Sequence, residues 1–121
     1  MSNAGTGLLI WLSVSDLSTA NNFYTELLGL KPVHVNQDVG WAELLHPGCG
    51  AHVGLRLAEK DEIIPAGGAT LTFDVNDLEN AVAGLERKGV TFITGVMNLN
   101  GYSFATFVDP DGNILQLRQV S

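Results

Sequence analysis

The side chains able to bind or transform a ligand are few and regularly spaced. His52, Gly54 and Arg56 alternate along one apolar run, Leu9, Trp11 and Ser13 along a second, and Thr70, Thr72 and Asp74 along a third. Alternate residues of a strand share a face, so each set would be presented together. Gln116 and Arg118 form a matching pair near the C-terminal end. His52 and Gln116 offer nitrogen and oxygen donors for a divalent ion, and His34, His46, Glu43 and Asp74 are further candidates. Arg56 and Arg118 suit a carboxylate or phosphate, or a nearby acid. Asp74 is a general base if it is buried. Trp11, Trp41 and Tyr102 supply aromatic surface for a planar ligand, or simply core. Cys49, the sole cysteine, reads as a small buried apolar residue. It permits no internal disulfide, in keeping with a reducing cytoplasm.

An internal repeat must position these groups. Val14-Ser15-Asp16-Leu17-Ser18-Thr19-Ala20 returns as Val75-Asn76-Asp77-Leu78-Glu79-Asn80-Ala81, a constant offset of 61 in 121 residues. One recurrence at half-length describes two similar modules facing across a cleft, since a solenoid needs three repeats or more. In module one, about 7–58, Leu8 to Val14 reads as a strand. Asp16 caps a helix from Leu17 to Leu28 that Gly29 ends, and strands follow at Pro32 to Val35, Gly40 to His46 and Ala51 to Leu57. Residues 59–68 read as a linker. In module two, about 69–121, Ala69 to Val75 is a strand and Asp77 caps a helix through Lys88 that stops at Gly89. Val90 to Ile93, Tyr102 to Val108 and Ile114 to Val120 are strands, the last two joined by an Asp109-Pro110-Asp111-Gly112-Asn113 turn.

Bulk properties narrow the function. The chain is 45% apolar and 16% charged, as an ordinary globular domain is. Thirteen acids against six bases give a net charge of −7, which disfavours nucleic acid and agrees with a cationic ligand. No apolar run reaches the ~18 residues of a membrane span, so a membrane partner is not expected. Ser2-Asn3-Ala4 resembles a protease-cleavage scar and is set aside.

Four stretches together resemble the vicinal oxygen chelate superfamily, which comprises glyoxalases, bleomycin resistance proteins and extradiol dioxygenases. They are Val14-Ser15-Asp16-Leu17, Phe23-Tyr24 with Leu28-Gly29-Leu30, Val75-Asn76-Asp77-Leu78, and Phe107-Val108-Asp109-Pro110-Asp111-Gly112-Asn113. The resemblance implies an α+β fold of two tandem βαβββ modules whose sheets form an incomplete barrel. It implies a single domain over residues 7–121 and a homodimer. In metal-dependent members each module places one ligand on its first strand and one on its last. Those positions fall here on Leu9, Gly54, Thr70 and Gln116, of which Gln116 alone is a credible ligand. A fold shared by many chemistries does not decide the activity.

The expected function is therefore metal-independent binding of a small organic molecule, a drug or metabolite, with no cofactor. The expected binding residues are Trp11, Trp41, His52, Arg56, Thr72, Asp74, Tyr102, Gln116 and Arg118. Two alternatives stand beside it. One is a metal-dependent lyase, isomerase or dioxygenase with atypical ligands, Gln116 and a His52 brought toward it by a one-residue slip in a bulge. The other is a non-catalytic interaction or regulatory domain.

Overall fold

Each half of the sequence begins with a strand that lies parallel to the half's last strand, a pairing that requires a crossover element between them. In the computed structural model, which describes residues 3, 5–62, 69–99 and 101–120, that element is a helix in both halves. The chain divides into two units, Met1–Ile64 and Pro65–Ser121. The first contains β1 (Leu9–Val14), α1 (Leu17–Asn22), β2 (Lys31–Asn36), β3 (Trp41–Leu45) and β4 (His52–Leu57), in sheet order β1-β4-β3-β2. The second contains β5 (Leu71–Asp74), α2 (Leu78–Arg87), β6 (Met97–Leu99), β7 (Tyr102–Val108) and β8 (Ile114–Val120), in order β5-β8-β7-β6. The first and last strands of each unit are parallel and the remaining pairs antiparallel. The fold is α+β, with two tandem βαβββ modules as the repeat requires. Residues 63–68 of the expected linker and residues 2 and 4 of the presumed scar lie outside the described residues.

Both helices start and stop by the same chemistry. The carboxylate oxygen Oδ1 of Asp16 accepts the Thr19 N–H at 2.9 Å, and that of Asp77 accepts the Asn80 N–H at 3.1 Å. Each cap satisfies a donor that the first helical turn leaves without a partner. At the other end Gly29 (φ 80°) and Gly89 (φ 90°) turn left-handed. The next residue then bonds back into the last turn, Leu30 N–H to the Tyr24 carbonyl six positions back and Val90 N–H to the Leu85 carbonyl five back, each at 3.0 Å. The Val90 closure is the Schellman arrangement and the Leu30 closure its π-widened counterpart, and both residues are buried.

Alternation divides each sheet into two faces. Ala42, Leu44, Val53 and Leu55 are buried on one face of the first sheet, which α1 covers. Ala105, Phe107, Leu115 and Leu117 are buried on the corresponding face under α2. Burying each such side chain contributes roughly 1.5–3 kcal/mol for the larger ones. The polar and aromatic residues of the candidate site occupy the opposite faces.

Three expectations need correction. The helix expected over Leu17–Leu28 is α-helical only to Asn22 and then widens into a π-helical turn over Phe23–Leu27, where the Leu28 N–H reaches the Phe23 carbonyl. Val90 to Ile93 is not a strand. It runs beside β7 through an isolated bridge at Phe92, where the Thr94 hydroxyl, in place of a backbone carbonyl, accepts the Thr106 N–H at 3.0 Å. The strand of that position is β6, which begins at Met97, four residues past Ile93. Cys49 is exposed, because it sits in the Pro47–Gly50 turn. The His46 ring holds that turn by accepting the Gly48 and Cys49 N–H groups at Nδ1, at 3.0 and 3.1 Å.

The β7–β8 turn is organised by Asp109, which is only 3% exposed. Its carboxylate accepts from the backbone N–H of Asp111 (2.9 Å) and Asn113 (2.8 Å) and from Asn113 Nδ2 (2.8 Å). Gly112 N–H closes the turn on the Asp109 carbonyl at 3.0 Å. Asp109→Ala strips these partly buried donors of their acceptor and is expected to destabilise the fold by about 2 kcal/mol. The check is urea unfolding, where the midpoint should fall with little change in slope.

Candidate functional site

In the first unit the strand register decides which side chains meet. Trp11 of β1 stands beside Gly54 of β4, and Gly54 beside Glu43 of β3. The next row holds Ser13, Arg56, Trp41 and Asn36. All lie on the face that α1 does not cover. Trp41, whose facing the sequence left open, is thus on the same face as Trp11, with its ring reaching back over Gly54. A Cβ built on Gly54 would lie 2.2 Å from Trp41 Cη2 and 2.9 Å from Trp11 Cβ. Glycine at 54 is therefore the condition for the indole to sit there. Trp41 is half-buried and Trp11 is 50% exposed, so Trp11 is not a core residue.

Arg56 completes this surface. Its guanidinium carbon lies 5.4 Å from the centroid of the Trp11 ring, a cation–π stack, and Nη2 donates to Ser13 Oγ at 3.3 Å and to Glu62. His52 lies two residues along β4 on the same face. Its Nδ1 is 2.7 Å from Glu43 Oε2. His34 stands opposite Glu43 on β2 and is exposed.

The second unit repeats the plan in more polar form. Asp74 pairs in register with Arg118 as Ser13 does with Arg56. Arg118 donates to both Asp74 carboxylate oxygens, at 2.7 and 3.0 Å, and its guanidinium lies 5.1 Å from the Tyr102 ring centroid. Gln116 sits between two threonines: Nε2 donates to Thr106 Oγ1 at 3.2 Å, and Oε1 accepts from Thr72 Oγ1 at 3.4 Å. Thr70 is exposed and precedes β5.

The expected site residues thus fall into two groups. Trp11, Trp41, His52 and Arg56 share one face of the first sheet, and Thr72, Asp74, Tyr102, Gln116 and Arg118 share one face of the second. Asp74 does not meet the condition set for a general base, since its side chain is 64% exposed and engaged by Arg118. The one-residue slip at His52 does not occur, because the register is unbroken from His52 to Leu57 against β1 and from His52 to Arg56 against β3. Both arginines are paired with acids. Arg56 takes Glu62 from the stretch read as linker, a partner the sequence reading missed. It also missed a polar pocket of about 300 Å³ at the start of α2, lined by Asp77, Glu79, Asn98, Ser103 and Gln119 among others. There the Leu78 N–H is already taken by Gln119 Oε1 at 2.7 Å.

The donors do not fit the metal that the fold family implies. Leu9 and Gly54 have no donor atom, and the space a side chain at 54 would use is filled by Trp41. Both polar atoms of the Gln116 amide are engaged. Among the described residues no group of three His, Cys, Asp or Glu side chains could hold an ion.

Three carboxylates, the exposed Asp16 and Asp74 and the half-buried Glu62, have pKa values below the ordinary range. The Thr19 backbone N–H does this for Asp16, the Arg56 guanidinium for Glu62 and the Arg118 guanidinium for Asp74. Arg118 is raised in turn by Asp74. A carboxylate with a lowered folded pKa adds stability above the unfolded value of about 4 and loses it as pH falls through the folded value. The urea midpoint should therefore hold from pH 7 to pH 5 and fall toward pH 3. Solvent screening keeps each contribution small. Asp74→Asn should lower the neutral-pH midpoint slightly and make the acid fall shallower.

These features agree with the comparisons to known proteins. The profile described as Glyoxalase/Bleomycin resistance protein/Dioxygenase superfamily matches residues 8–117. No curated protein sequence matches significantly. Among solved structures, TnmS3, an antibiotic binding protein from Streptomyces sp. CB03234, is 27% identical with a TM-score of 0.79, and the match covers all of both chains. A glyoxalase/bleomycin resistance protein/dioxygenase superfamily member from Sphaerobacter thermophilus DSM 20745 is 27% identical with a TM-score of 0.79, covering 95% of this chain and 97% of that one. An integron cassette protein from the mobile metagenome of V. Cholerae is 25% identical with a TM-score of 0.76, covering 100% and 99%. With its paired modules, common caps and turns, and a profile match over nearly its whole length, the chain belongs to the glyoxalase/bleomycin resistance protein/dioxygenase superfamily.

Proposed function

We propose that this protein binds a small organic molecule, a drug or metabolite with a planar aromatic part, without a metal ion. The observation that carries the reading is the pair of tryptophans flanking Gly54. An indole lies where a ligand side chain would project, and the half-exposed Trp11 beside it is backed by Arg56. Large rigid rings offer contact area at low entropic cost. His52 and Arg56 add polar groups to that surface. Thr72, Asp74, Tyr102, Gln116 and Arg118 form a polar counterpart on the second unit. The antibiotic binding function of TnmS3, a full-length structural relative, supports the same reading. The chain's acidity favours a cationic ligand over an anionic one.

The test is a thermal-shift and fluorescence-quenching screen of planar aromatic drugs and metabolites, using protein dialysed against EDTA. A compound that stabilises the metal-stripped protein and quenches its tryptophans is expected. Trp11→Ala should weaken its binding about fivefold, from ~1 kcal/mol of lost stacking, and change unfolding stability by no more than about 0.5 kcal/mol. Gly54→Ala should weaken binding at least as much by displacing Trp41. Stoichiometric Ni, Zn, Mn or Fe whose removal abolishes binding would instead establish the metal-dependent alternative.

The proposal includes a cytoplasmic homodimer. Exposed apolar side chains at the sheet edges support the dimer, Val33 and Val35 on β2 and Met97 and Leu99 on β6. Light scattering should give twice the chain mass, and a clean monomer would overturn that part.

A further inference from the structure

We infer that Glu43 and His52 form a fixed hydrogen-bond acceptor that selects, among planar ligands, those carrying a hydroxyl or N–H donor at the ring edge. This rests on the aromatic surface proposed above and names what distinguishes its ligands.

The geometry runs from the carboxylate outward. An ionised carboxylate only accepts, so the 2.7 Å contact between Glu43 Oε2 and His52 Nδ1 makes Nδ1 the donor. In the neutral ring the lone pair is then on Nε2. Among the described residues Nε2 has no partner, and it is not a buried atom left unsatisfied, so it is open to solvent. The His52 side chain is 40% exposed. Glu43 stands on the inner strand β3 directly across from Gly54, its side chain 28% exposed.

Position gives this acceptor its use. His52 is two residues from Gly54 on β4 and diagonal to Trp11 on β1. The step along the strand is about 7 Å. A fused two-ring molecule stacked beside Gly54 with a donor at its far edge can bridge it. A surface pair of this kind adds little to stability by itself. An imidazole held in one tautomer beside an aromatic surface acts instead on selectivity. A polar site that pairs with a donor discriminates against the analogue lacking it.

The test compares 7-hydroxycoumarin with 7-methoxycoumarin, which share a ring system and differ in the donor. Affinities are read by calorimetry on the whole protein. The hydroxyl compound should bind about fivefold more tightly, the worth of one net hydrogen bond. His52→Leu should remove that difference. Glu43→Leu, which frees the tautomer, should reduce the difference with the ring still present. Independently, ¹⁵N-histidine NMR of the unliganded protein should show the His52 proton on Nδ1, and Glu43→Leu should lose that preference. Equal affinities, a preference for the methoxy compound, a difference that survives in His52→Leu, or a proton on Nε2 would each overturn the inference. If neither coumarin binds while the NMR shows Nδ1–H, it is the aromatic-surface reading that has failed, and the selective role falls with it.

Discussion

The constraint on which the structure depends is the parallel pairing of the first and last strands in each unit. A strand cannot return parallel to its neighbour through a tight turn, so a crossover must intervene. Here that crossover includes α1 in one unit and α2 in the other. Each helix covers one sheet face, and this commits alternate residues to burial. The remaining alternate residues are free for other chemistry. The register of β1 with β4 then sets Trp11 against Gly54 and Ser13 against Arg56, and that of β5 with β8 sets Thr72 against Gln116 and Asp74 against Arg118. The Ser13–Arg56, Thr72–Gln116 and Asp74–Arg118 contacts of the candidate site follow from those pairings.

Local chemistry was legible in the sequence because it acts through the backbone of neighbouring residues. Asp16 and Asp77 announce helix starts, Gly29 and Gly89 announce left-handed exits, and Asp109-Pro110-Asp111-Gly112 spells a turn. The repeat made the module order legible in the same way. Less could be read where the outcome depends on partners distant in sequence. Trp41 sits at the start of a strand, so its facing is fixed only by pairing with Arg56. β6 has three residues, too few for a periodic signal, and Thr94 diverts the segment that looked more strand-like. Glu62 lies in a charged stretch that resembles a linker, and its bond to Arg56 depends on the chain turning back at Asp61, whose φ is 69°. Cys49 was misread because burial statistics for cysteine yield to a four-residue turn rich in Pro and Gly.

The two units show how one framework can carry different surfaces. Arg56 and Arg118 occupy equivalent register positions, and both stack on an aromatic ring and bond to an acid. The ring is Trp11 in one case and Tyr102 in the other, and they come from different strands. The equivalence is therefore in the arginine and its environment, and the partners differ. The first unit is the more apolar, with two indoles. The second ties Gln116, Thr72 and Thr106 into a hydrogen-bonded row.

The departure from the metal-binding pattern is more than a loss of donors. Had Gly54 merely replaced a ligand residue, the space above it would be open and a single substitution could restore the donor. Instead Trp41 occupies that space so closely that even a methyl group would collide with it. A donor at 54 would have to expel the indole, which is half-buried among strand neighbours, and give up its packing. Gln116 is likewise engaged on both sides of its amide. Restoring a metal site would thus require several coupled changes, each unfavourable without the others. The sheet face carries an aromatic surface in that place, and the glycine, which offers no donor, is what lets that surface form.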